Sequence, residues 1–132
     1  MIVVDASALV AIAELEPEAR ALLAAIARAD MAVISRVNAV EAGMVLLARG
    51  RFADPAAFQS WREEVDVGLW SASPDEGDAL SAFWRFGKGR HPARLNLGDC
   101  FAYALAKRLD APLLYKGDDF AKTDIRSALQ PT

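Results

Sequence analysis

Apolar residues in this chain fall in short runs separated by stretches with helical spacing. The run Ile2-Val3-Val4, closed by Asp5, reads as a strand buried on both faces of a parallel sheet, with a helix beginning near Ala6 or Ser7. Glu18 to Ala29 is rich in Ala and Leu, with Pro17 at its first turn, and predicts a second helix; Met31 to Ile34 predicts the next strand. Ser35 is placed to cap a helix from about Arg36 to Arg49 that stops at Gly50. Along that helix Val37, Val40, Met44, Val45 and Ala48 recur at intervals of three and four, forming a core-facing stripe on which Glu41 falls.

Asp54-Pro55 signals a helix over Ala56 to Val67, followed by a short strand at Leu69-Trp70. Ser73-Pro74-Asp75-Glu76 repeats the signal with a Ser and Glu capping box, for a helix reaching Phe86 and broken at Gly87 and Gly89. Asn96 caps Leu97 to Leu109, after which Pro112 introduces the strand Leu113 to Tyr115. Strands alternating with helices, without hairpin turns, predict an α/β fold: a three-layer sandwich whose central, mainly parallel sheet is flanked by helices.

The 132 residues, 54% hydrophobic, suffice for one compact core and are too few for two ordinary domains, so residues 1–132 are expected to form a single domain. No stretch approaches the roughly 18 apolar residues of a membrane span, and Asp5 comes before a signal-peptide pattern can develop. A cytoplasmic protein without a membrane partner is expected. Cys100, the only cysteine, has apolar neighbours and reads as a small buried residue.

Net charge of −3 argues, by itself, against nucleic-acid binding. Its distribution argues otherwise. The segment RFGKGRHPAR gathers Arg85, Lys88, Arg90, His91 and Arg94 without an acid and leads directly into Asn96-Leu97-Gly98-Asp99. Such a run is either a solvated loop or a basic arm for a phosphodiester held beside an acidic metal cluster. The acids in question are Asp5, Glu41, Asp99 and the Asp118/Asp119 pair, most of them beside a strand end or a helix start. Hard oxygen donors at the carboxyl edge of a parallel sheet suit Mg²⁺ or Mn²⁺.

Each acid also has an ordinary explanation. Asp5 can be an N-cap, with Ser7 capping the same helix or holding a metal-bound water; Asp99 suits a first helical turn; Asp118 and Asp119 follow Gly117 in a turn, where acids are common. Glu41 is harder to explain on an apolar stripe, where an unpaired carboxylate costs several kcal/mol, unless it lies at the edge of that stripe or pairs with Arg36. Adjacent carboxylates do not easily reach one ion, so one of Asp118 and Asp119 should be a ligand and the other capping or solvent-facing.

In Asp5-Ala6-Ser7-Ala8-Leu9, Glu41 within a helix, Leu95-Asn96-Leu97-Gly98-Asp99-Cys100, Lys116-Gly117-Asp118-Asp119-Phe120 and Thr123-Asp124, together with Gly87-Lys88-Gly89-Arg90-His91, the chain resembles the PIN-domain ribonucleases of the VapC toxin type over nearly its whole length. The resemblance implies that Asp5 and Asp99 are the principal Mg²⁺ ligands, that Glu41 completes the acidic site, and that Asp119 rather than Asp118 is the fourth acid. It also implies supporting roles for Ser7 and Asn96. The implied activity is a Mg²⁺-dependent endoribonuclease toxin that cuts structured RNA, transfer or ribosomal, to inhibit translation, and leaves a 5′-phosphate and a 3′-hydroxyl. A homodimer and a VapB-type antitoxin whose tail blocks the acidic groove are implied as partners.

Lys88, Arg90, His91 and Arg94 are then candidate RNA contacts, with Asp118 as site support. As the only histidine, His91 excludes a metal-independent ribonuclease working through a histidine pair. A receiver-like phosphoacceptor domain needs an acid pair after its first strand and an aspartate after the middle one; here Asp5 is followed by Ala6, and the middle strand runs Leu69-Trp70-Ser71-Ala72. A haloacid-dehalogenase-like phosphatase needs a second aspartate where Ser7 stands. A non-catalytic binding module of the same fold would have no reason to keep Glu41 charged. Two hydrophobic groups, one around Trp61 and one at Phe83, Trp84 and Phe86, are open to three readings: core, dimer interface or antitoxin groove.

Overall fold

The structure is a computed structural model that describes residues 1–72 and 76–129, so the helix start expected at Ser73-Pro74-Asp75 lies outside the described residues. Four short strands, β1 (Ile2–Val4), β2 (Ala32–Ile34), β3 (Val67–Leu69) and β4 (Leu113–Leu114), pair in the order β3-β2-β1-β4, every pair parallel. Helices α1 (Ala6–Ala13), α2 (Ala19–Arg28), α3 (Arg36–Ala48), α4 (Pro55–Glu64), α5 (Glu76–Phe86) and α6 (Leu97–Arg108) alternate with them, and a 3-10 turn at Phe120–Lys122 follows β4.

Because side chains alternate along a strand, the sheet feeds two cores. Ile2, Val4, Ala32, Ile34 and Leu114 pack with residues of α1 to α4, whereas Val3, Val33 and Leu113 pack with residues of α5 and α6. The result is the expected three-layer sandwich with a central parallel sheet. Among the described residues no helix is long and apolar enough to cross a membrane.

Helix starts follow the caps read from the sequence. Ser35 accepts from the Asn38 N–H, Asp54 accepts from the Ala57 N–H with Pro55 in the first turn, and Asn96 accepts from the Asp99 N–H. Gly50, at φ +73°, ends the turn after α3. Three details differ from expectation. Pro17 lies in the turn before α2, which begins at Ala19. Helix α4 ends at Glu64, because Asp66 adopts a left-handed backbone (φ +63°) and turns Val67 into β3, where it pairs with Ala32. Residues 126–128 run beside β4, Leu113 N–H donating to the Arg126 carbonyl at 2.8 Å and Ala128 N–H to the Leu113 carbonyl at 2.9 Å.

The largest correction concerns α3. Its buried face is Asn38, Ala39, Ala42, Gly43 and Leu46, while Val40 and Met44 of the expected stripe are 59% and 66% exposed. Small residues let the helix approach its neighbours closely; a Cβ on Gly43 would lie 3.0 Å from the Phe58 ring. Glu41 therefore sits half-buried at the edge of the packed face and not in its centre. Trp61 stacks with Phe52 and Phe58 and joins the α1–α4 core, Phe86 is buried under α6, and Phe83 and Trp84 remain exposed.

Candidate metal centre

From β1 the chain steps outward to β2 and β3, then returns to place β4 on the other side of β1. The carboxyl ends of β1 and β4 therefore border the point where the strand order reverses, the usual place for a ligand crevice in an open α/β sheet. Asp5 closes β1 there, its backbone N–H donating to the Leu114 carbonyl at 2.9 Å. As the N-cap of α1 its side chain accepts from the Ser7 N–H at 3.0 Å through Oδ2. The other oxygen, Oδ1, is buried and, among the described residues, has no hydrogen-bond partner of good geometry. Burial pushes the Asp5 carboxyl up to about 6; bonds from Ser7 and a weaker interaction with the Ala6 backbone N–H oppose the shift, and the charge of Glu41 adds to it.

Ser7 bonds in two directions. Its N–H goes to Asp5, and its hydroxyl accepts from the Lys116 N–H at 3.0 Å, which stitches the start of α1 to the chain leaving β4. The Lys116 ammonium contacts Glu16 and lies 3.5 Å from Glu18, so it is engaged by the α1–α2 turn.

Glu41 reaches the crevice from α3 and rests on α6. A Cβ at Gly98 would lie 2.4 Å from Glu41 Oε1 and 2.5 Å from Oε2, so the bare Cα of glycine leaves room for the carboxylate in this position, and a larger residue would push it aside. Burial raises the Glu41 pKa, a bond from Asn38 opposes the shift, and the charge of Asp99 adds to it.

Asp99 lies in the first turn of α6 within a reciprocal capping box: Asn96 N–H donates to Asp99 Oδ2 at 3.1 Å, and Asp99 N–H to Asn96 Oδ1 at 2.9 Å. Burial pushes Asp99 up to about 6, against the bond from Asn96, and Asp5 and Asp119 add to the rise. Asp119, exposed just before the 3-10 turn, is near enough for its charge to act on Asp99; Asp118, also exposed, is not among the charges acting on Asp99.

Asp5, Glu41, Asp99 and Asp119 converge electrostatically at one edge of the sheet, although among the described residues no three such side chains close to ligating spacing. The donor set nevertheless fits a hard divalent cation. All donors are carboxylate oxygens, their mutual repulsion calls for positive charge, and the bare Oδ1 of Asp5 is a buried acceptor with nothing to accept.

The basic run is more committed than its sequence suggested. Arg85 reaches Tyr103 and Asp124, Arg90 lies 3.7 Å over the Trp84 ring and donates to its carbonyl, and His91 packs edge-on against Phe86 while its Nδ1 accepts from the Ala93 N–H. Lys88 and Arg94 are exposed on the same loop. Two features escaped notice in the sequence: Asn38, whose only signal was an amide one turn before Glu41, and the close approach at Gly98.

Residues 2–126 match the family described as PIN domain. Over 132 residues the chain is 41% identical to Ribonuclease VapC30 of Mycobacterium tuberculosis, covering 98% of this chain and 99% of that one. It is 42% identical over 126 residues to Ribonuclease VapC of Mycolicibacterium smegmatis, covering 93% and 96% respectively. The fold also matches the crystal structure of Mycobacterium tuberculosis VapC20, a Sarcin-Ricin loop cleaving toxin, with a TM-score of 0.74 over 95% of this chain and 96% of that one; at 17% identity this is a likeness of fold.

Proposed function

Since the chain belongs to the PIN-domain family and, within it, to the VapC ribonucleases of toxin–antitoxin systems, we propose that it is a Mg²⁺-dependent endoribonuclease whose site is Asp5, Glu41, Asp99 and Asp119. The observation that carries this reading is Asp5 Oδ1, a buried carboxylate oxygen without a hydrogen-bond partner among the described residues, at the strand-order switch point and on a carboxyl group that interacts with the charges of Glu41 and Asp99. Asp5 and Asp99 would hold the cation, with Glu41 and Asp119 adding negative charge around it; Mn²⁺ is an expected substitute. When bound, the cation neutralises charge on the scissile phosphate and acidifies water at neutral pH.

The protein's own groups do the rest. Ser7 keeps the Asp5 carboxylate turned by its N–H and ties it to the β4 crest through Lys116. Asn96 fixes Asp99 at the start of α6. Lys88, Arg90 and Arg94 supply positive charge for the RNA backbone, Arg90 presented on the exposed face of Trp84, with His91 packed beneath the same loop and Asp118 at the rim. Hydrolysis would add water across the P–O3′ bond and leave a 5′-phosphate and a 3′-hydroxyl.

The substrate is proposed to be structured cellular RNA, transfer or ribosomal, whose cleavage stops translation; one relative of the same fold is described as cleaving the sarcin-ricin loop. A VapB-type antitoxin covering the acidic groove, a homodimer and a cytoplasmic location complete the proposal. The test is cleavage of total bacterial RNA by the native chain with Mg²⁺, the native chain with EDTA, and Asp99→Asn with Mg²⁺, the new ends being mapped by sequencing. Discrete cuts made only by the native chain with Mg²⁺ support the reading. No cleavage by folded, Mg²⁺-loaded protein in transfer, ribosomal or messenger RNA rejects it.

A further inference from the structure

Asn38 is completely buried on α3, and it joins the two elements that carry Glu41 and Asp99. Its Nδ2 donates to the Gly98 carbonyl at 2.9 Å and to Glu41 Oε1 at 3.3 Å. Its Oδ1 accepts from the Ser35 hydroxyl, whose oxygen in turn accepts from the Asn38 backbone N–H at 3.0 Å. The orientation of the amide follows from these partners. Turned over, its oxygen would face a carbonyl and a carboxylate, both acceptors, in a site with no water contact to compensate.

Gly98 is the residue before Asp99, and Glu41 lies one helical turn beyond Asn38, on the same side of α3. One amide thus holds the side chain of one acid and the backbone beside the other. Glu41 is wedged between that amide and the bare Cα of Gly98, where a Cβ would come within 2.4 Å of its oxygen. Among the described residues, the bond from Asn38 is the hydrogen bond that orients the Glu41 carboxylate.

We propose that Asn38 is a positioning residue that sets the spacing between the Glu41 and Asp99 carboxylates and thereby the affinity of the site for a divalent cation. This rests on the metal-site reading above. A purely structural amide joining α3 to α6 would need only the Gly98 carbonyl; the second proton of Nδ2, spent on Glu41, is what links the tie to the site. Removing groups that orient the ligands of a metal typically weakens binding about ten- to 100-fold.

The probe is Mn²⁺, titrated into the full chain and followed by the electron paramagnetic resonance signal of the free ion. Asn38→Ala removes the amide; Asn38→Leu removes it while keeping side-chain volume, and serves if the alanine variant does not fold. Leu46→Ala, buried on the same helix and part of the α1–α4 core, controls for lost stability. Both Asn38 variants are expected to bind Mn²⁺ at least roughly ten-fold more weakly, with Leu46→Ala staying close to native affinity below its melting temperature. Folded Asn38 variants with native affinity, or an equal loss in Leu46→Ala, overturn the assignment and leave the metal site standing. A native chain that binds no Mn²⁺ overturns the metal-site reading and this inference with it.

Discussion

Asp5 concentrates the tension in this molecule, because burial and the charge of Glu41 raise its pKa from 3.8 to about 6, worth on the order of 3 kcal/mol between protonation states. Asp99 shifts in the same direction to about 6. Between pH about 4 and 6 the folded chain therefore holds more protons at these two groups than the unfolded chain, and stability falls as pH rises through that window. The metal-free protein should melt several degrees higher at pH 5 than at pH 7, and Mg²⁺ should raise the melting temperature at pH 7. Asp124, whose pKa is lowered by Tyr103 and Lys107, loses its contribution only at more acidic pH and does not cancel this trend. Asp5→Asn keeps an N-cap acceptor for the Ser7 N–H, so it should raise the metal-free melting temperature at pH 7 while abolishing both the Mg²⁺ response and cleavage. Scanning fluorimetry in EDTA decides this, and a lower melting temperature for Asp5→Asn would assign the carboxylate to structure. Gly98→Ala makes a complementary case. Alanine is ordinarily favoured over glycine in a helix by about 1 kcal/mol, yet here its Cβ would meet the movable end of Glu41. Stability measured in urea should change little while cleavage falls by roughly ten-fold or more, since the displaced group belongs to the site.

At the level of elements, the capping box that opens α6 carries a structural duty in the same four residues that hold Asp99, a member of the proposed site. Asn96→Ala removes the side-chain acceptor and should cost about 1 kcal/mol in urea denaturation. It retains the backbone N–H that holds Asp99 Oδ2, so cleavage should survive to within an order of magnitude; complete loss would mean that the Asn96 side chain itself acts in the site. Such caps are why much of the fold was legible in the sequence. Ser35, Asp54 and Asn96 announce their helices locally, and Ile2-Val3-Val4 announces a central strand by lacking alternation. What was not legible depends on partners distant in the chain. Periodicity gave α3 a face of Val40 and Met44, whereas the packed face is built from small residues that admit Phe58 and from an asparagine that meets α6. The end of α4 hinges on a left-handed aspartate, and the pairing of residues 126–128 with Leu113 leaves no local signature. Of the candidate site, the acids and the elements that carry them are visible in the sequence, their role in a site remaining part of the proposal. The orphaned oxygen of Asp5, the seat of Glu41 on Gly98 and the Asn38 tie required three dimensions.

For the whole molecule, the surface beside the acidic edge poses the question of assembly. Leu80 and Leu97 are 67% and 75% exposed and, with Phe83 and Phe101, line a groove of about 510 Å³ between α5 and α6 that reaches Asn96, three residues from Asp99. Exposed apolar side chains grouped along one groove make it a candidate interface. The proposed homodimer would bury it, and a stable pair needs about 800 Å² from each partner, so the surface around the groove would have to take part as well. Leu80→Glu tests this because its side chain is outside both cores: sedimentation should convert a dimer into a monomer with an unchanged melting profile in the subunit itself. Trp61→Ala, by contrast, opens the cluster with Phe52 and Phe58 and should lower stability by on the order of 3 kcal/mol. If the native chain sediments as a monomer at tens of micromolar, the groove is not a self-interface. An antitoxin segment then becomes the occupant to test, and Leu80→Glu should weaken its binding while leaving Mg²⁺-dependent cleavage by the free protein intact.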